Sequence, residues 1–409
     1  MGCPLFFLPQ YNWRLIKSVD SVMTKSRTIR EYLRSIPPEN TATRVSFFLA
    51  GFMMAIWAAM VPFVKARLSL DEAHLGTLLL CVGLGALFVM PFCGGVIARR
   101  GVGFLLKKAY FFAALLLCVV YFSESLFLTA AILFLFGMIF GSIDVSMNVH
   151  AVEVDQRSPK RLIAGFHALY SFGNVAGALG MAALLNVDIS VWMAVAALLA
   201  LGLLLWLLVS RHLLSDAGCS TEKTPAFAVP KGFVLLLGLI CFVLFMVEGA
   251  VLDWGGVFLI QEKSVAIENA GLAFASFATA MTVMRLFGDR LITLAGPRYC
   301  VLFGALLASL ALIGTLVFQN VYAVIAAFFL LGLGLANLVP IAFASTANQT
   351  LMPMSMALAA VTTLGYGGQL LGPAFIGYVA KATDLTVAFA LLAALMVIVA
   401  LSFVIFRRK

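Results

Sequence analysis

Two short stretches, Gly-Asn-Val-Ala-Gly at 173–177 and Gly-Gln-Leu-Leu-Gly at 368–372, decide how this chain is organised. Their glycines and amides match at an offset of 195 residues. The same offset predicts an internal repeat of two similar halves, because one offset serves three pairs of apolar segments in the same order. The other matching glycines are Gly76 with Gly271, Gly101 with Gly296, and Gly137 with Gly332.

The composition around these stretches excludes a water-soluble protein. Of the 409 residues, 63% are hydrophobic and 11% are charged, and the mean hydropathy is +1.08. Soluble domains have about 25% charged residues. A membrane-spanning helix needs about 20 apolar residues. The sequence therefore predicts an all-α membrane protein with twelve transmembrane helices in two six-helix bundles, at 45–64, 75–98, 109–123, 126–151, 162–187, 190–210, 232–256, 269–292, 299–318, 321–345, 355–380 and 385–406.

Basic residues are distributed asymmetrically over the loops between these spans. The two tails and alternate loops carry 22 Lys and Arg residues, whereas the opposite loops carry only Lys65, Arg67, Lys263 and Lys381. Because cytoplasmic loops are enriched in Lys and Arg, both termini are predicted to be cytoplasmic. The net charge of +9 follows from this topology and does not indicate nucleic-acid binding. The predicted parts are a cytoplasmic tail, a first bundle, a cytoplasmic linker and a second bundle, at 1–43, 44–210, 211–231 and 232–409.

The loops after spans two and eight carry a glycine and Asp-Arg pattern. The copies read Gly94-Gly95-Val96-Ile97-Ala98-Arg99-Arg100-Gly101 and Arg285-Leu286-Phe287-Gly288-Asp289-Arg290. With the repeat, this pattern resembles the major facilitator superfamily of transporters. The resemblance implies the twelve-helix fold of that family and a latch at the cytoplasmic ends of its halves. The residues of the predicted latch are Arg99, Arg100, Arg285, Asp289 and Arg290, and Arg285 and Asp289 can pair across one helical turn. Anion binding is the alternative for Arg285, Asp289 and Arg290.

Span four is similar to that of proton-coupled fucose permeases. Residues 141–148, Gly-Ser-Ile-Asp-Val-Ser-Met-Asn, keep the family spacing of glycine, acid and asparagine. Tyr170 stands where those permeases carry a sugar-binding asparagine, and span one lacks their acid and amide. The segment 248–254 is typical of an uncharacterised bacterial branch. The resemblance implies proton coupling and a small polar solute.

Three ionisable residues inside the spans are candidates for proton coupling. A charge at the centre of a span costs about 3 kcal/mol or more, so it usually faces a cavity or a partner. Asp144 is the first candidate, and His167, at a similar depth, is a candidate relay partner. Glu248, predicted in the outer half of span seven, is the third. The alternatives are hydrogen-bonded structural pairs and packing between helices. His150, near the inner end of span four, is predicted to belong to a solvated helix end.

Candidate substrate-binding residues are polar or aromatic and lie in the same spans. Asn148 is one helical turn beyond Asp144. Gly255 and Gly256 are predicted to break span seven, so that both acids of that span reach the cavity and Trp254 forms a lid. Ordinary helix contact is the alternative for the hydroxyls and amides. The full set is Trp57, Asn148, Tyr170, Asp253, Trp254, Asn337, Tyr366 and Gln369.

These features together predict a secondary transporter that moves a small polar solute by alternating access, most simply as a proton symporter. The alternatives are proton-driven efflux of amphipathic compounds and a membrane sensor that has lost transport. No motif for an enzyme, a cofactor or a metal is found in the sequence. The expected partners are the solute, protons and the lipid bilayer, and a monomer in the bacterial inner membrane is expected.

Overall fold

The computed structural model describes residues 37–158, 162–214, 231–346, 349 and 354–402. Most of the predicted tail (1–43) and of the predicted linker (211–231) therefore lies outside the described residues. The inner end of each span is the end predicted to face the cytoplasm, and the outer end is opposite to it.

The twelve predicted spans all correspond to helices, which confirms the fold class. Span ten is divided into two helices at Ala336 and Asn337. Among the residues that the structure describes, ten helical segments are long and apolar enough to cross a membrane, and the helix of span twelve is a shorter apolar one. The helices are, in chain order, Pro38–Arg67, Glu72–Arg100, Val102–Phe122, Leu126–Gln156, Ile163–Leu185, Val191–Val209, Gly232–Lys263, Leu272–Ala295, Pro297–Val317, Val321–Leu335 with Leu338–Ser345, Met354–Ala382 and Leu385–Leu401.

The repeated glycines mark the same close helix contacts in both halves. A methyl group at Gly173 in span five would overlap the carbonyl oxygen of Phe48 in span one. A methyl group at Gly368 in span eleven would overlap the carbonyl oxygen of Phe242 in span seven. Small residues allow two helix backbones to approach closely in a membrane. The repeat predicted from the sequence is thus present in the packing.

The glycines that begin spans three and nine share an unusual backbone conformation. Gly101 has φ 73° and ψ 161°, and Gly296 has φ 85° and ψ 153°. This region of backbone space is essentially restricted to glycine. Both residues turn the chain sharply between two antiparallel spans at the inner end, which explains the glycine at each copy of the loop pattern.

Basic side chains cap equivalent helix ends at the outer side. Arg67 at the end of span one donates from Nη2 to the carbonyl of Val120 at 2.9 Å, near the end of span three. Lys263 at the end of span seven donates to the carbonyls of Leu316 at 3.1 Å and Phe318 at 2.8 Å, at the end of span nine. The last carbonyls of a helix have no partner within the helix. Arg67 supplies a hydrogen-bond donor to these carbonyls in the first half, and Lys263 does so in the second half.

Candidate functional site

Asp144 lies well inside the long helix of span four and forms the centre of the candidate site. Its side chain is half-buried. The amide nitrogen of Asn148 donates to its Oδ1 at 3.2 Å and to its backbone oxygen at 2.9 Å. The expected spacing of one helical turn therefore brings the two side chains together.

Tyr366 joins Asp144 to the other half of the molecule. Its hydroxyl, on span eleven, donates to Oδ2 of Asp144 at 3.4 Å. The Tyr366 ring is stacked on that of Phe245 in span seven, with centroids 5.7 Å apart and planes inclined by 14°. Packing against Phe245 therefore helps to orient the phenol toward span four. The hydrogen bond connects the two predicted bundles near the middle of the spans.

Arg285 also lies in this central region, although the sequence placed it at the inner end of span eight. The helix of span eight continues to Ala295, ten residues beyond Arg285, which corresponds to about 15 Å of helix. Nη1 of Arg285 donates to the hydroxyl of Ser171 in span five at 3.2 Å. The predicted position at the helix end is wrong, because the apolar residues that come after Arg285 continue the span.

Glu248 occupies the midpoint of span seven rather than its outer half, because that helix extends to Lys263. Its carboxylate is half-buried and interacts electrostatically with Arg285 in span eight. It also interacts with Tyr170 in span five and Tyr366 in span eleven. The carboxylate of Glu248 is therefore within electrostatic range of side chains on spans five, eight and eleven.

Gln369 in span eleven faces Gly249, the residue that follows Glu248 in span seven. A methyl group at Gly249 would be 3.6 Å from Cγ of Gln369, so the two helices are in close contact at this level. Tyr366 and Gln369 are three residues apart, as are Phe245 and Glu248, and residues at this spacing share a helix face. The stacked rings and the two polar groups therefore form one continuous wall.

Span seven is an unbroken helix through its glycine pair, so the predicted break is wrong. Glu248 and Asp253 project about 140° apart on a straight helix, and the acids are not brought to one place. Asp253 is half-buried. Trp254 is fully buried, with no hydrogen-bond partner at Nε1 in the described residues. Trp254 packs inside the bundle in this conformation, and its role as a lid stays a prediction.

His167 lies near the site but does not contact Asp144 directly. Its ring packs edge-on against Phe47 at 5.1 Å between centroids, and it interacts electrostatically with Arg285. The side-chain hydrogen bonds of Asp144 are made with Asn148 and Tyr366. A relay between His167 and Asp144 stays a prediction.

Two other predicted binding residues are buried against neighbouring helices. Trp57 is 2% exposed and packs 6.4 Å from the ring of Phe136 in span four. Asn337 is buried at the junction inside span ten, where its side chain lies against Gly288 of span eight. In this conformation both contribute to packing, and their role in binding stays a prediction.

The remaining residues of the predicted latch lie at the inner end. Arg99, Arg100 and Arg290 are exposed, and Arg100 lies over the ring of Phe104 at 4.8 Å. The side chain of Asp289 lies outside the described residues. Arg285 instead contacts Ser171 in the central region. Latching by these residues therefore stays a prediction.

The predicted environment of His150 is wrong. It is 1% exposed, although a solvated helix end was expected. Its Nδ1 lies 3.0 Å from the hydroxyl of Thr43 in span one, and its Nε2 accepts from the backbone N–H of Leu214 at 3.0 Å. His150 thus joins span four to the beginning of the predicted linker. The nearby charges in the sequence gave no indication of these distant partners.

The outer ends of the two halves are joined by polar contacts that the sequence analysis missed. Asp71, before span two, forms an ion pair of 2.9 Å with Lys381 at the end of span eleven. Glu72 accepts from Gln261 at the end of span seven at 3.0 Å. Asn186 also donates to Asn269 at 3.0 Å, across the ends of spans five and eight. The structure is therefore closed at its outer end.

Asp71 has a second role as the N-cap of span two. It accepts from the backbone N–H of His74 at 2.8 Å. This hydrogen bond, followed by the one from Lys381, holds the pKa of Asp71 below its usual range. The carboxylate of Asp71 is therefore ionised at physiological pH.

Comparisons with known proteins agree with this architecture. Residues 237–409 match the family profile of the Major Facilitator Superfamily. An uncharacterized MFS-type transporter of Yersinia pestis is 39% identical over 364 residues, which are 89% of this chain and 94% of the relative. Membrane protein MosC of Rhizobium meliloti is 30% identical over 374 residues, which are 90% of each chain.

The solved structures extend the likeness to the fold. A crystal structure of a mutant of nucleoside transporter NupG has a TM-score of 0.76 and covers 90% of this chain and 100% of that chain. At 13% identity, this likeness concerns the fold alone. Because a relative of 39% identity aligns with nearly all of this chain, the protein belongs to the major facilitator superfamily of membrane transporters.

Proposed function

We propose that this protein is a proton-coupled symporter that imports a small polar solute through the bacterial inner membrane, with both termini in the cytoplasm. The observation that carries the proposal is the hydrogen bond from Tyr366 to Asp144. It places a titratable group in the central region and connects it directly to the opposite half. Transporters of this type expose a central site alternately by rocking one half against the other.

The charge of Asp144 would determine how strongly the halves hold together in the outer-closed conformation. An ionised carboxylate accepts stronger hydrogen bonds than a neutral one. Ionised Asp144 accepts from both Asn148 and Tyr366, which stabilises the present arrangement. Protonation weakens the bond to Tyr366 and so favours the opening of the outer end. Proton binding would thus bias the equilibrium between the two conformations, which is the requirement for coupling.

The outer contacts support the same cycle. The ion pair between Asp71 and Lys381 and the bond between Asn186 and Asn269 must break when the outer end opens. The hydrogen bond from Tyr366 to Asp144 differs from these outer contacts, because its carboxylate lies near the middle of a span. Protons therefore bind at the centre of the molecule. The outer contacts stabilise the outer-closed conformation, from which the protein departs when Asp144 is protonated.

The proposal is tested by measuring the outer opening as a function of pH. Spin labels at Val187→Cys and Ala266→Cys, in a background without the native cysteines, report the distance between the exposed outer ends of the halves. In lipid nanodiscs, lowering the pH from about 8 to about 5, which favours the protonated form of carboxylates, is expected to increase the population with longer distances. Asp144→Asn is expected to show the longer distances at every pH, and Tyr366→Phe to shift the population in the same direction.

The control is Asp384→Asn, which neutralises an exposed carboxylate and keeps a side chain that can cap span twelve. This variant is expected to retain the pH response of the wild type. If the Asp144→Asn protein changes its distance distribution with pH as the wild type does, Asp144 is not the coupling group and the proposal is wrong.

A further inference from the structure

Two opposite charges at the centre of the molecule are close to each other but do not form an ion pair. The carboxylate of Glu248 and the guanidinium of Arg285 interact electrostatically. Their hydrogen bonds and ion pairs in the structure do not include one with each other. Arg285 is held by Ser171, on a different helix from Glu248. The hydrogen bond of Arg285 in this conformation is therefore made with span five and not with Glu248.

Each of these charges has unused capacity for a ligand. Within the described residues, no group is hydrogen-bonded to the carboxylate of Glu248. A guanidinium has five N–H donors, and that of Arg285 makes its hydrogen bond with a neutral hydroxyl. Taking an unpaired charge out of water is strongly unfavourable. A bound solute with complementary charges would offset that cost at both residues.

Other side chains near these charges are suited to contact a carbon skeleton. Tyr170 interacts electrostatically with both Glu248 and Arg285, so its hydroxyl is within electrostatic range of both charges. Phe245 is one helical turn from Glu248, and it is stacked on Tyr366. Aromatic rings bind apolar groups and the adjoining cation of a ligand. The site therefore offers a carboxylate, a guanidinium and aromatic surface.

We infer, on the basis of the proposed function, that the solute is a zwitterion whose ammonium group binds Glu248 and whose carboxylate binds Arg285. Tyr170 and the stacked pair Phe245 and Tyr366 contact the carbon atoms between the two charges. When Asp144 is protonated, the charges of Glu248 and Arg285 cancel. A zwitterion then adds no net charge to this central region, whereas a purely cationic or anionic solute leaves one residue without a partner.

The inference is tested with probes that differ in one charge at a time. The panel consists of alanine, β-alanine, γ-aminobutyrate and 5-aminovalerate, each with the corresponding alkylamine and alkyl carboxylic acid. Binding is measured from the shift of the thermal unfolding midpoint of the purified full-length protein, since a ligand that binds the native state stabilises it by mass action. At least one zwitterion is expected to stabilise the wild type, while its amine and acid analogues at the same concentration do not.

Variants of the two charged residues assign the contacts. Glu248→Gln and Arg285→Gln are each expected to weaken binding of that zwitterion by about tenfold or more, the usual effect of removing one partner of a buried charged contact. Glu248→Asp and Arg285→Lys keep the charge and are expected to restore part of the binding. The matched controls are Glu268→Gln and Arg211→Gln, which change charges outside the site and are expected to bind as the wild type does.

Three results would overturn the inference. In the first, no zwitterion in the panel stabilises the wild type. In the second, the singly charged analogues stabilise it as much as the zwitterion does. In the third, the Gln variants bind the zwitterion with the affinity of the wild type. The pH response of the spin-label distances is independent of this panel. A response that persists without zwitterion binding rejects the solute class alone, and zwitterion binding without the response rejects proton coupling alone.

Discussion

At the scale of single residues, the partner of a side chain decides what it can do. Asp144 and Asn148 were recognisable as a pair, because a spacing of four residues brings two side chains to one helix face. The third member, Tyr366, is 222 residues away in the chain and reaches Asp144 from the other half. Arg285 likewise reaches Ser171, which lies in the other half of the chain.

Glycines at helix contacts give a prediction at this scale. Gly368→Ala is expected to destabilise the protein by about 1–3 kcal/mol, the range for overpacked cores, because its methyl group would overlap the carbonyl of Phe242. The matched control is Gly367→Ala, whose methyl group would lie 3.7 Å from the ring of Phe242. Thermal unfolding in detergent is expected to show a lower midpoint for Gly368→Ala and an unchanged or higher one for Gly367→Ala. Equal midpoints would contradict the contact.

At the scale of the helix, length determines how deep a residue lies. Span seven is longer than its apolar run suggested, since its helix continues to Lys263. Span eight is shifted toward the inner end, since its helix ends at Ala295. Glu248 is therefore central and Arg285 is well inside its span. An apolar run ends at the first polar residues, whereas a helix continues beyond them as long as its backbone groups find hydrogen-bond partners.

The capping cations give a prediction for helix ends. Lys263→Met keeps an apolar stem of similar length but leaves the carbonyls of Leu316 and Phe318 without this donor. The loss of stability is expected to be about 1–3 kcal/mol, the cost of an unsatisfied polar group. Thermal unfolding of this variant is compared with that of Lys107→Met, which removes an exposed cation at the opposite end. A midpoint of Lys263→Met that is no lower than that of Lys107→Met would argue against capping.

At the scale of the whole molecule, the outer contacts between the halves define the conformation. Asp71 and Lys381 belong to different halves, and their ion pair joins spans two and eleven. The same carboxylate caps span two. Asparagine is as good an N-cap as aspartate, so one substitution can separate the two roles.

Asp71→Asn is expected to favour the outward-open conformation, because it removes the charge from the ion pair and keeps the cap. The spin-label distance at Val187→Cys and Ala266→Cys is expected to increase, and Lys381→Gln to have the same effect. The pKa of Asp71 is lowered in the folded protein. The contribution of the Asp71 carboxylate to the outer-closed conformation is therefore present at neutral pH. It is lost only when the pH falls below the usual aspartate range of about 4. The effect of Asp71→Asn is expected to be the same at both ends of the pH range used for the wild type, and an effect that vanishes at the acidic end would contradict this assignment.

The sequence by itself determined the class of protein, the number of spans, the internal repeat and the pairing of Asp144 with Asn148. These features depend on local hydropathy and on spacing along one helix, which are both readable from residue order. The tertiary structure decided that Tyr366 meets Asp144, that Arg285 and Glu248 share the centre, that span seven is unbroken, and that Asp71 meets Lys381. Such contacts depend on the length and rotation of helices far apart in the chain, and these are set by how the two halves pack together.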